Sequence, residues 1–400
     1  MVRFATRVPG DLSANRITRA LRATTPRYDL TVSNPTEVGL EHAPAVLTSL
    51  GDPAGLRYRP DPRGLRVTRE AVAGEFARLG ARVDADRIVL TASTSEAYAF
   101  LFKVLAEPGD EILVPTPSYP LFEHLARLEG VRAVPYRLEA DAAWRIDLAT
   151  VAASGAQVRA IVVVHPNNPT GSFIHPDDRA ALAGLCRERG WALIADEVFL
   201  DYPLDGGGGC IASFASETRC LTFTLGGLSK SAALPQLKLA WIATSGPAEL
   251  AAAALDRLEF IADTFLSVGT PVALAAPDLI AAGTAVRDRV LSRCRANLAA
   301  LRTAVAGFAA VEVLPVGGGW SVVMRVPAIV ADEELIVELL ERDGVAVFPG
   351  YFFDIPRDGY LVLSLLPRPG VFAEGIGRLL ARVTEIVARP GRRGAATVTP

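Results

Sequence analysis

Short apolar runs rich in Val, Ile and Leu alternate with amphipathic stretches from residue 87 to residue 243, and this alternation restricts the possible folds more than any other feature. A strand-sized run followed by a helix-sized stretch is typical of a mostly parallel sheet covered by helices. The runs lie at residues 87–92, 111–116, 131–136, 159–165, 191–196, 220–225 and 237–243. The sequence therefore predicts an α/β domain with a seven-stranded sheet sandwiched by helices. The last runs follow one another without a clear helix, which predicts a mixed sheet.

The pattern changes after residue 247, where an Ala-rich stretch with helical spacing extends to residue 310 and is broken at Gly269-Thr270-Pro271. We interpret this stretch as containing a long helix between two domains. Beyond it, apolar runs at 320–326 and 360–366 and helical stretches at 331–342 and 371–388 predict a smaller α+β domain. The predicted organisation is an N-terminal arm of residues 1–40, a large domain of residues 41–282 and a small domain of residues 283–400.

Glycines and the terminus predict three local features. Residues 66–80 have helical spacing and end at Gly80, a plausible C-cap. The run Gly206–Gly209 indicates a flexible surface loop rather than a phosphate cradle. The Gly- and Pro-containing tail from residue 390 is expected to fray.

Charge and cysteine content argue against several classes of protein. The 41 Lys and Arg residues are balanced by 44 Asp and Glu, and a net charge of −3 argues against a nucleic-acid partner. The four cysteines form no CxxC pair and the four histidines are scattered, so we expect reduced thiols, a cytoplasmic protein and no metal site. No apolar run approaches the ~18 residues that a membrane span needs, and the start lacks a signal-peptide core, so we expect no membrane partner.

Polar side chains follow the predicted strands, at the edge where a parallel α/β sheet binds ligands. Ser93, Thr94 and Ser95 follow the first strand and open a helix. The free N–H groups of that helix suit a phosphate, although an ordinary Ser or Thr N-cap explains the same residues. Tyr119 follows the second strand and is either a platform for a flat ring or a turn aromatic packed on the core.

Three further strand ends bear an amide, a carboxylate and an amine. The string HPNNPTG at 165–171 forms a rigid turn that aims Asn168 at a ligand, or is simply an Asn-Pro turn. Asp196 ends a buried strand and needs a partner, which is either an arginine or a ligand's ring nitrogen. Lys230 in GGLSKS is either a solvated loop lysine or the amine of a Schiff base. Together the five strand ends supply the parts that hold pyridoxal 5′-phosphate (PLP).

These residues make the chain resemble the fold-type-I, class I and II PLP-dependent aminotransferases from about residue 28 to residue 388. The resemblance is strongest in HPNNPTG, IADEV and LSKSAALPQLKLAWI. It implies that Lys230 forms an imine with PLP and later moves the substrate proton. It implies that Asp196 pairs with the pyridine nitrogen, that Asn168 bonds the ring's 3-oxygen, and that Tyr119 stacks on the ring.

The resemblance also implies contacts to the remainder of the cofactor. Lys238 stands where the family usually has a phosphate-binding arginine, so a point charge replaces a bidentate fork. Tyr58 resembles the tyrosine that reaches the phosphate of the neighbouring subunit, which implies a homodimer with shared active sites. The other implied cofactor-binding residues are Ser93, Thr94, Ser95 and Ser229.

Two departures from the family pattern concern the ring oxygen and the substrate. Phe199, an implied cofactor contact, stands where most relatives have a tyrosine whose hydroxyl touches the ring oxygen. Val362 stands where the family has the arginine that binds the substrate carboxylate. Arg368, six residues further on, and Asn34, in an Asn-Pro turn, are the candidate substrate-binding residues.

The implied function is amino-group transfer between an amino acid or amine and a 2-oxo acid, through aldimine and ketimine forms of PLP. The alternative is a PLP enzyme of specialised metabolism that uses the same substrate carbanion for elimination, substitution or cyclisation. A non-catalytic effector-binding domain is a third hypothesis, which we disfavour because no DNA-binding extension precedes residue 28.

Overall fold

The computed structural model describes residues 2–205 and 212–389. The loop predicted at Gly206–Gly209 and the tail predicted to fray from residue 390 lie outside the described residues. The chain begins with α1 (Arg16–Ala23), β1 (Tyr28–Asp29) and α2 (Arg66–Arg78). Helix α2 confirms the helix predicted before Gly80, and Gly80 has a φ of 81°.

All seven predicted runs form strands, with helices between most of them. In chain order the elements are β2 (Ile88–Thr91), α3 (Thr94–Leu105), β3 (Glu111–Thr116), α4 (Phe122–Leu128), β4 (Arg132–Glu139), β5 (Arg145–Ile146), α5 (Leu148–Ala152), β6 (Val158–Val164), α6 (Pro176–Arg189), β7 (Ala192–Asp196), β8 (Thr222–Gly227), α7 (Leu228–Ser231) and β9 (Ala240–Ser245). The strands form one sheet in the order β2-β9-β8-β7-β6-β3-β4-β5.

The sheet therefore has eight strands among the described residues, and the prediction of seven was wrong by one. The additional strand, β5, pairs antiparallel with the end of β4. The chain reverses between them through Ala143 and Trp144, which both have positive φ. A two-residue strand has no hydrophobic period of its own, so the sequence contained no signal for it.

The strand directions place the carboxyl ends of five strands along one edge of the sheet. Strand β9 runs antiparallel to both of its neighbours, β2 and β8, so β2 and β8 run in the same direction. Strands β3, β6, β7 and β8 are parallel to one another. The carboxyl ends of β2, β3, β6, β7 and β8 thus lie along the same edge. The antiparallel strand β9 confirms the prediction of a mixed sheet.

Both faces of the sheet are buried, because apolar residues occupy consecutive positions of the central strands. In β6, Ile161 and Val163 pack in one apolar cluster together with Leu182 of α6. The alternate residue Val162 packs in a second cluster with residues of α3 and of the later helix Ala248–Phe265. Since neighbouring strand residues point to opposite faces, an uninterrupted apolar run specifies a strand covered on both sides.

The remaining elements confirm the predicted long helix and the smaller α+β unit. They are α8 (Ala248–Phe265), α9 (Thr270–Val305), β10 (Glu312–Val313), β11 (Ser321–Arg325), α10 (Asp332–Glu338), β12 (Val345–Ala346), β13 (Phe348–Pro349), β14 (Tyr360–Ser364) and α11 (Pro369–Ala388). Helix α9 has 36 residues and begins at the predicted Gly-Thr-Pro break. Strands β10, β11, β14 and β13 form a four-stranded antiparallel sheet.

Part of the N-terminal segment is joined to this smaller unit. Strand β1 pairs with β12 in parallel, and the N–H of Ser364 donates to the Leu30 carbonyl at 2.7 Å. Helix α1 packs near α10. The predicted arm of residues 1–40 thus contains a helix and a strand that its turn-rich sequence did not indicate.

Candidate active site

Lys230 lies where the carboxyl ends of β7 and β8 meet. It belongs to α7, which begins directly after β8, and Asp196 ends β7 opposite Leu225 of β8. The Lys230 Nζ lies 5.7 Å from the ring centre of Phe199 and 5.1 Å from that of Trp320. Burial lowers the pKa of Lys230, and the negative charge of Asp196 acts in the opposite direction. The site therefore favours a neutral amine more than water does.

Asp196 is a buried carboxylate whose oxygens are both occupied. The Tyr98 hydroxyl donates to Oδ2 at 2.9 Å, and the Val198 N–H donates to Oδ1 at 3.1 Å. Burial raises the pKa of Asp196, whereas these two hydrogen bonds and the Lys230 charge lower it. A buried carboxylate of this kind is stabilised by a cation placed against it.

Tyr119 lies just beyond β3 and keeps 41% of its surface exposed. Its ring contacts Phe122 edge to face, with ring centres 6.3 Å apart. Burial and the nearby Asp196 charge raise the pKa of Tyr119, so its phenol is neutral at physiological pH. The exposed part of Tyr119 leaves room for a flat ring to stack, while the contact with Phe122 holds its ring against the core.

A hydrogen-bonded turn presents Asn168. The buried neighbour Asn167 donates to the Pro117 carbonyl at 3.0 Å and to Thr170 Oγ1 at 2.9 Å, and it accepts from Ser118 Oγ at 2.8 Å. Asn168 itself is half-buried. Sequence reasoning assigned the ligand contact to Asn168 and did not identify Asn167, whose side chain makes the turn rigid.

The start of α3 lies at the carboxyl end of β2 and has the properties of an anion site. The Glu96 N–H donates to the N-cap Ser93 Oγ at 3.2 Å, so the N-cap interpretation is correct. The Ser93 hydroxyl still has its proton to donate, and Thr94 and Ser95 open the first turn. An N-cap serine and a phosphate-binding helix start are therefore compatible here.

Two further residues implied as cofactor contacts lie near the lysine in sequence and differ in exposure. Ser229 is half-buried within α7. Lys238 is exposed on the loop before β9, and its main chain is in the left-handed region with a φ of 51°.

The candidate substrate residues Asn34 and Arg368, and also Tyr58, make contacts away from Lys230 and Asp196. Asn34 Oδ1 accepts from the N–H and hydroxyl of Thr36, which closes a local turn. Arg368 is exposed, with its guanidinium close to Gly39. Within the described ranges, no hydrogen bond or ion pair joins Asn34 or Arg368 to Lys230 or Asp196. Tyr58 is 78% exposed.

Val362 leaves the position of the family arginine apolar. It is buried on β14, opposite Val323 on one side and Phe348 on the other. All three residues belong to the apolar cluster that includes Ile161 of the large sheet. No charged group is available from this strand position.

Sequence reasoning did not identify three residues near the lysine. Tyr98 lies one helical turn after Thr94, and this spacing is the signal that places both on one helix face. Trp320 follows three glycines, and its ring lies beside the lysine amine. Tyr202 packs edge-on against Trp320 with ring centres 5.1 Å apart, and no local pattern distinguishes it from a core tyrosine.

The donor set fits PLP. A desolvated amine, a buried carboxylate, an amide and an aromatic face lie along one sheet edge, and a helix N-terminus lies at the end of β2 on the same edge. Among residues 2–205 and 212–389, no group of three His, Cys, Asp or Glu side chains is placed to bind a metal ion. In the same ranges no helix combines the length and apolarity that crossing a bilayer demands.

Comparison with known proteins gives a consistent result. The family model for aminotransferase class I and II matches residues 28–366. The alanine aminotransferase of Mycobacterium tuberculosis is 27% identical over 364 residues, which are 88% of this chain and 84% of that protein. The arginine–pyruvate transaminase AruH of Pseudomonas aeruginosa is 30% identical over 348 residues, 84% of this chain and 85% of that protein. A single mutant of the Thermus thermophilus aspartate aminotransferase shares the fold, with a TM-score of 0.82, 23% identity, and coverage of 96% of this chain and 100% of its own.

Proposed function

The chain belongs to the class I and II aminotransferases, and we propose that Lys230 is the amine with which it binds PLP. The protein is therefore a PLP-dependent enzyme that moves an amino group between an amino acid and a 2-oxo acid. The observation that supports Lys230 is its position beside Asp196 at the carboxyl edge of the sheet, with a pKa lowered by burial.

When bound, PLP withdraws electrons from the substrate's Cα and so lowers the cost of removing the proton there. Asp196 holds the ring nitrogen protonated, since a buried carboxylate and a cation stabilise each other. Tyr98 supports this role by bonding the ionised form of Asp196. Lys230 takes the Cα proton as a neutral amine, a role that its lowered pKa favours.

The other cofactor contacts follow from the same arrangement. Asn168 would donate to the ring oxygen, and the exposed surface of Tyr119 would stack on the ring. Phe199 lines the lysine pocket without a hydroxyl, so Asn168 is the ring oxygen's side-chain donor in our proposal. In our proposal the phosphate is bound by the start of α3, where Ser93 is the N-cap, and by the side chains of Ser229 and Lys238, which lie one residue before and eight residues after Lys230.

The first experiment replaces Lys230 and Asp196 separately in the purified holoenzyme. Lys230→Ala should lose both the absorbance of the lysine–cofactor imine and turnover. Asp196→Ala should lose turnover far more than cofactor affinity. A Lys230→Ala protein that keeps the imine absorbance and turns over normally would refute the assignment.

We propose that pyruvate is the amino acceptor. Two relatives support this, since one is named for alanine, whose keto acid is pyruvate, and the other for arginine and pyruvate. The amino donor is best found by incubating the holoenzyme with pyruvate and each of a panel of amino acids and amines. Alanine formation, detected by mass, identifies the pair; no alanine from any donor would reject pyruvate.

Elimination, substitution or cyclisation that starts from the same Cα carbanion is the second candidate function. It is supported by the apolar Val362, because a substrate carboxylate would have to be bound by the charge of another residue, such as Arg368, or by a neutral amide, such as Asn34. The two candidates differ when the holoenzyme receives a donor without an acceptor. A transaminase accumulates the aminated cofactor, whereas an elimination enzyme returns to its starting absorbance.

We propose that a second copy of the chain completes the site as a homodimer. Leu56 and Phe260 are exposed by 90% and 75%, and Tyr58 and Leu266 line one surface cavity nearby. Such a patch of exposed apolar side chains indicates a protein interface, and Tyr58 would then reach the partner's phosphate site. Leu56→Glu should give a monomer in sedimentation experiments, whereas the matched control Leu128→Glu, on α4, should not.

We propose the remaining organisation from weaker observations. The large PLP-binding domain spans residues 41–282 and the small domain residues 283–400, with α9 running through the boundary. A cytoplasmic location is supported by Cys186, Cys220 and Cys294, which are buried and free of disulfides. Retention of the protein in the cytosolic fraction of its host would test this location.

A further inference from the structure

We propose that Tyr202, Arg287 and His42 are positioning residues that fix the main chain of Lys230 by binding three successive carbonyl groups. The inference rests on the proposed role of Lys230 as the PLP-binding amine. None of the three side chains needs to touch the cofactor or the substrate for this role. They act through the backbone from which the lysine side chain extends.

Helix α7 has only four residues; its Leu228 carbonyl accepts from the Ala232 N–H and its Lys230 carbonyl from the Ala233 N–H, both at 3.2 Å, and side-chain donors add to these backbone bonds. The Tyr202 hydroxyl donates to the Lys230 carbonyl at 2.5 Å. Arg287 Nη1 donates to the Ser231 carbonyl at 3.2 Å, and His42 Nε2 lies 2.6 Å from the Ala232 carbonyl. Because a carbonyl only accepts, His42 must carry its proton on Nε2 in this contact.

The three donors come from different parts of the chain and are each held in place. Tyr202 is completely buried and its ring packs on Trp320. Arg287 on α9 is buried and ion-paired with Glu75 of α2 at 2.9 Å. His42 lies on the segment before α2 and is half-buried. The main chain of residues 230–232 is thus fixed by three separate elements.

The ion pairs of Arg287 also connect the lysine segment to the loop that follows Asp196. Arg287 Nε lies 3.9 Å from Asp201 Oδ1, and Asp201 also pairs with Arg78 of α2. Tyr202 follows Asp201 directly. The chain that leaves the ring-nitrogen carboxylate therefore returns to contact the lysine segment, so the two groups keep a fixed separation.

A fixed main chain matters here because, among the described residues, no hydrogen bond holds Lys230 Nζ, and Asp196 acts on it only through its charge. Phe199 and Trp320 lie beside it, and aromatic faces restrict a flexible amine much less in direction than hydrogen bonds do. Four rotatable bonds separate Nζ from the backbone. A displacement of about 1 Å in a reacting group can cost about 100-fold in rate, so the origin of the side chain must be well defined.

The experiment uses Tyr202→Phe in the PLP-loaded enzyme, with Tyr136→Phe as the matched control. Tyr136 is also completely buried and donates to a main-chain carbonyl, that of Val162 at 2.8 Å, but away from the lysine segment. Both variants lose the same kind of bond and keep the ring. The readouts are the pH midpoint of the imine absorbance, its rate of reaction with hydroxylamine, and the melting temperature.

We expect Tyr202→Phe to move the imine midpoint by about half a pH unit or more, a threefold change in the protonation equilibrium. The hydroxylamine rate should change at least as much, while Tyr136→Phe matches the wild type in both. Equal imine midpoints and hydroxylamine rates for the two variants would overturn the proposal. If Tyr202→Phe does not fold, His42→Leu and His42→Gln are compared instead. Leucine removes the hydrogen bond to the Ala232 carbonyl, whereas glutamine retains a donor and should restore the wild-type imine midpoint.

The same data separate this proposal from the assignment of Lys230. If Lys230→Ala retains the imine absorbance, the proposed function fails and the positioning proposal falls with it. If Lys230→Ala loses the absorbance but Tyr202→Phe titrates like the wild type, only the positioning proposal fails.

Discussion

Replacing Tyr98 with phenylalanine should move the acid side of the pH–rate profile upward. The Tyr98 hydroxyl donates to Asp196 Oδ2 at 2.9 Å, and both residues are buried. A hydrogen bond to a charged group contributes about 1.5–3 kcal/mol. Since about 1.4 kcal/mol corresponds to a tenfold change in an equilibrium constant, loss of the bond should favour protonation of Asp196 by about tenfold or more and so raise the pKa of that carboxyl.

The direction of the shift in the pH–rate profile depends on which form of Asp196 the Tyr98 hydrogen bond stabilises. Tyr98 donates to the ionised carboxylate and so lowers the pKa of Asp196; without it the protonated, inactive form extends to higher pH. The variant should therefore lose activity most at the acidic end and recover towards the wild-type kcat in alkaline buffer. Its fold should persist, because the ring of Tyr98 packs on Phe102 and Phe122 without using the hydroxyl.

The assay is kcat against pH for the wild type, Tyr98→Phe and the control Tyr136→Phe. Tyr136 loses an equivalent buried hydroxyl that bonds Val162 rather than Asp196. We expect only Tyr98→Phe to shift the acidic limb. An activity loss of equal size at every pH, or an acidic limb that stays in place, would refute the electrostatic reasoning about Asp196.

Three further predictions concern glycine, phosphate binding and stability. Gly171→Ala should lower the melting temperature, because Gly171 has a φ of 68° and a Cβ there would lie 2.5 Å from the Gly318 carbonyl oxygen. The control Gly74→Ala should raise the melting temperature, because Gly74 lies in α2 with open space around it and alanine favours a helix. Lys238→Ala should weaken PLP binding about tenfold or more in a fluorescence titration, and Lys238→Arg should restore or tighten it through a bidentate fork; equal affinities would remove Lys238 from the phosphate site. Burial raises the pKa of Asp332 to about 6, so the folded protein favours the protonated carboxyl. The contribution of this group to the free energy of unfolding is therefore full below the unfolded-state pKa near 4 and is lost as the pH rises through 6. Urea unfolding of the wild type and Asp332→Asn from pH 4 to pH 7 should reveal that slope in the wild type and a flatter one in the variant.

The sequence predicted the central strands because each buried strand is an uninterrupted apolar run with a helix-sized stretch beside it. It also predicted that Lys230 and Asp196 meet, since the carboxyl ends of parallel strands share an edge. Two-residue strands such as β5 and β12 were not predictable, because their existence depends on partners brought together by the fold.

The supporting residues of the site were not predictable for a related reason. Tyr202 and Arg287 contact the lysine segment across 28 and 56 residues of chain, and such contacts leave no local pattern. Trp320 comes from the smaller unit and meets Lys230 only through tertiary packing. Val362, by contrast, is visible in the sequence, but only its burial in an apolar cluster explains why no charge is available there.

The position of β9 has a consequence for the order of events during biosynthesis. Strand β2 is joined to the large sheet only through β9, which is made about 150 residues later. A nascent chain that has emerged only as far as Lys230 contains the amine that we propose binds PLP, but no strand yet brings the start of α3 alongside it. We therefore expect the phosphate end of that site to be assembled only after β9 has been synthesised.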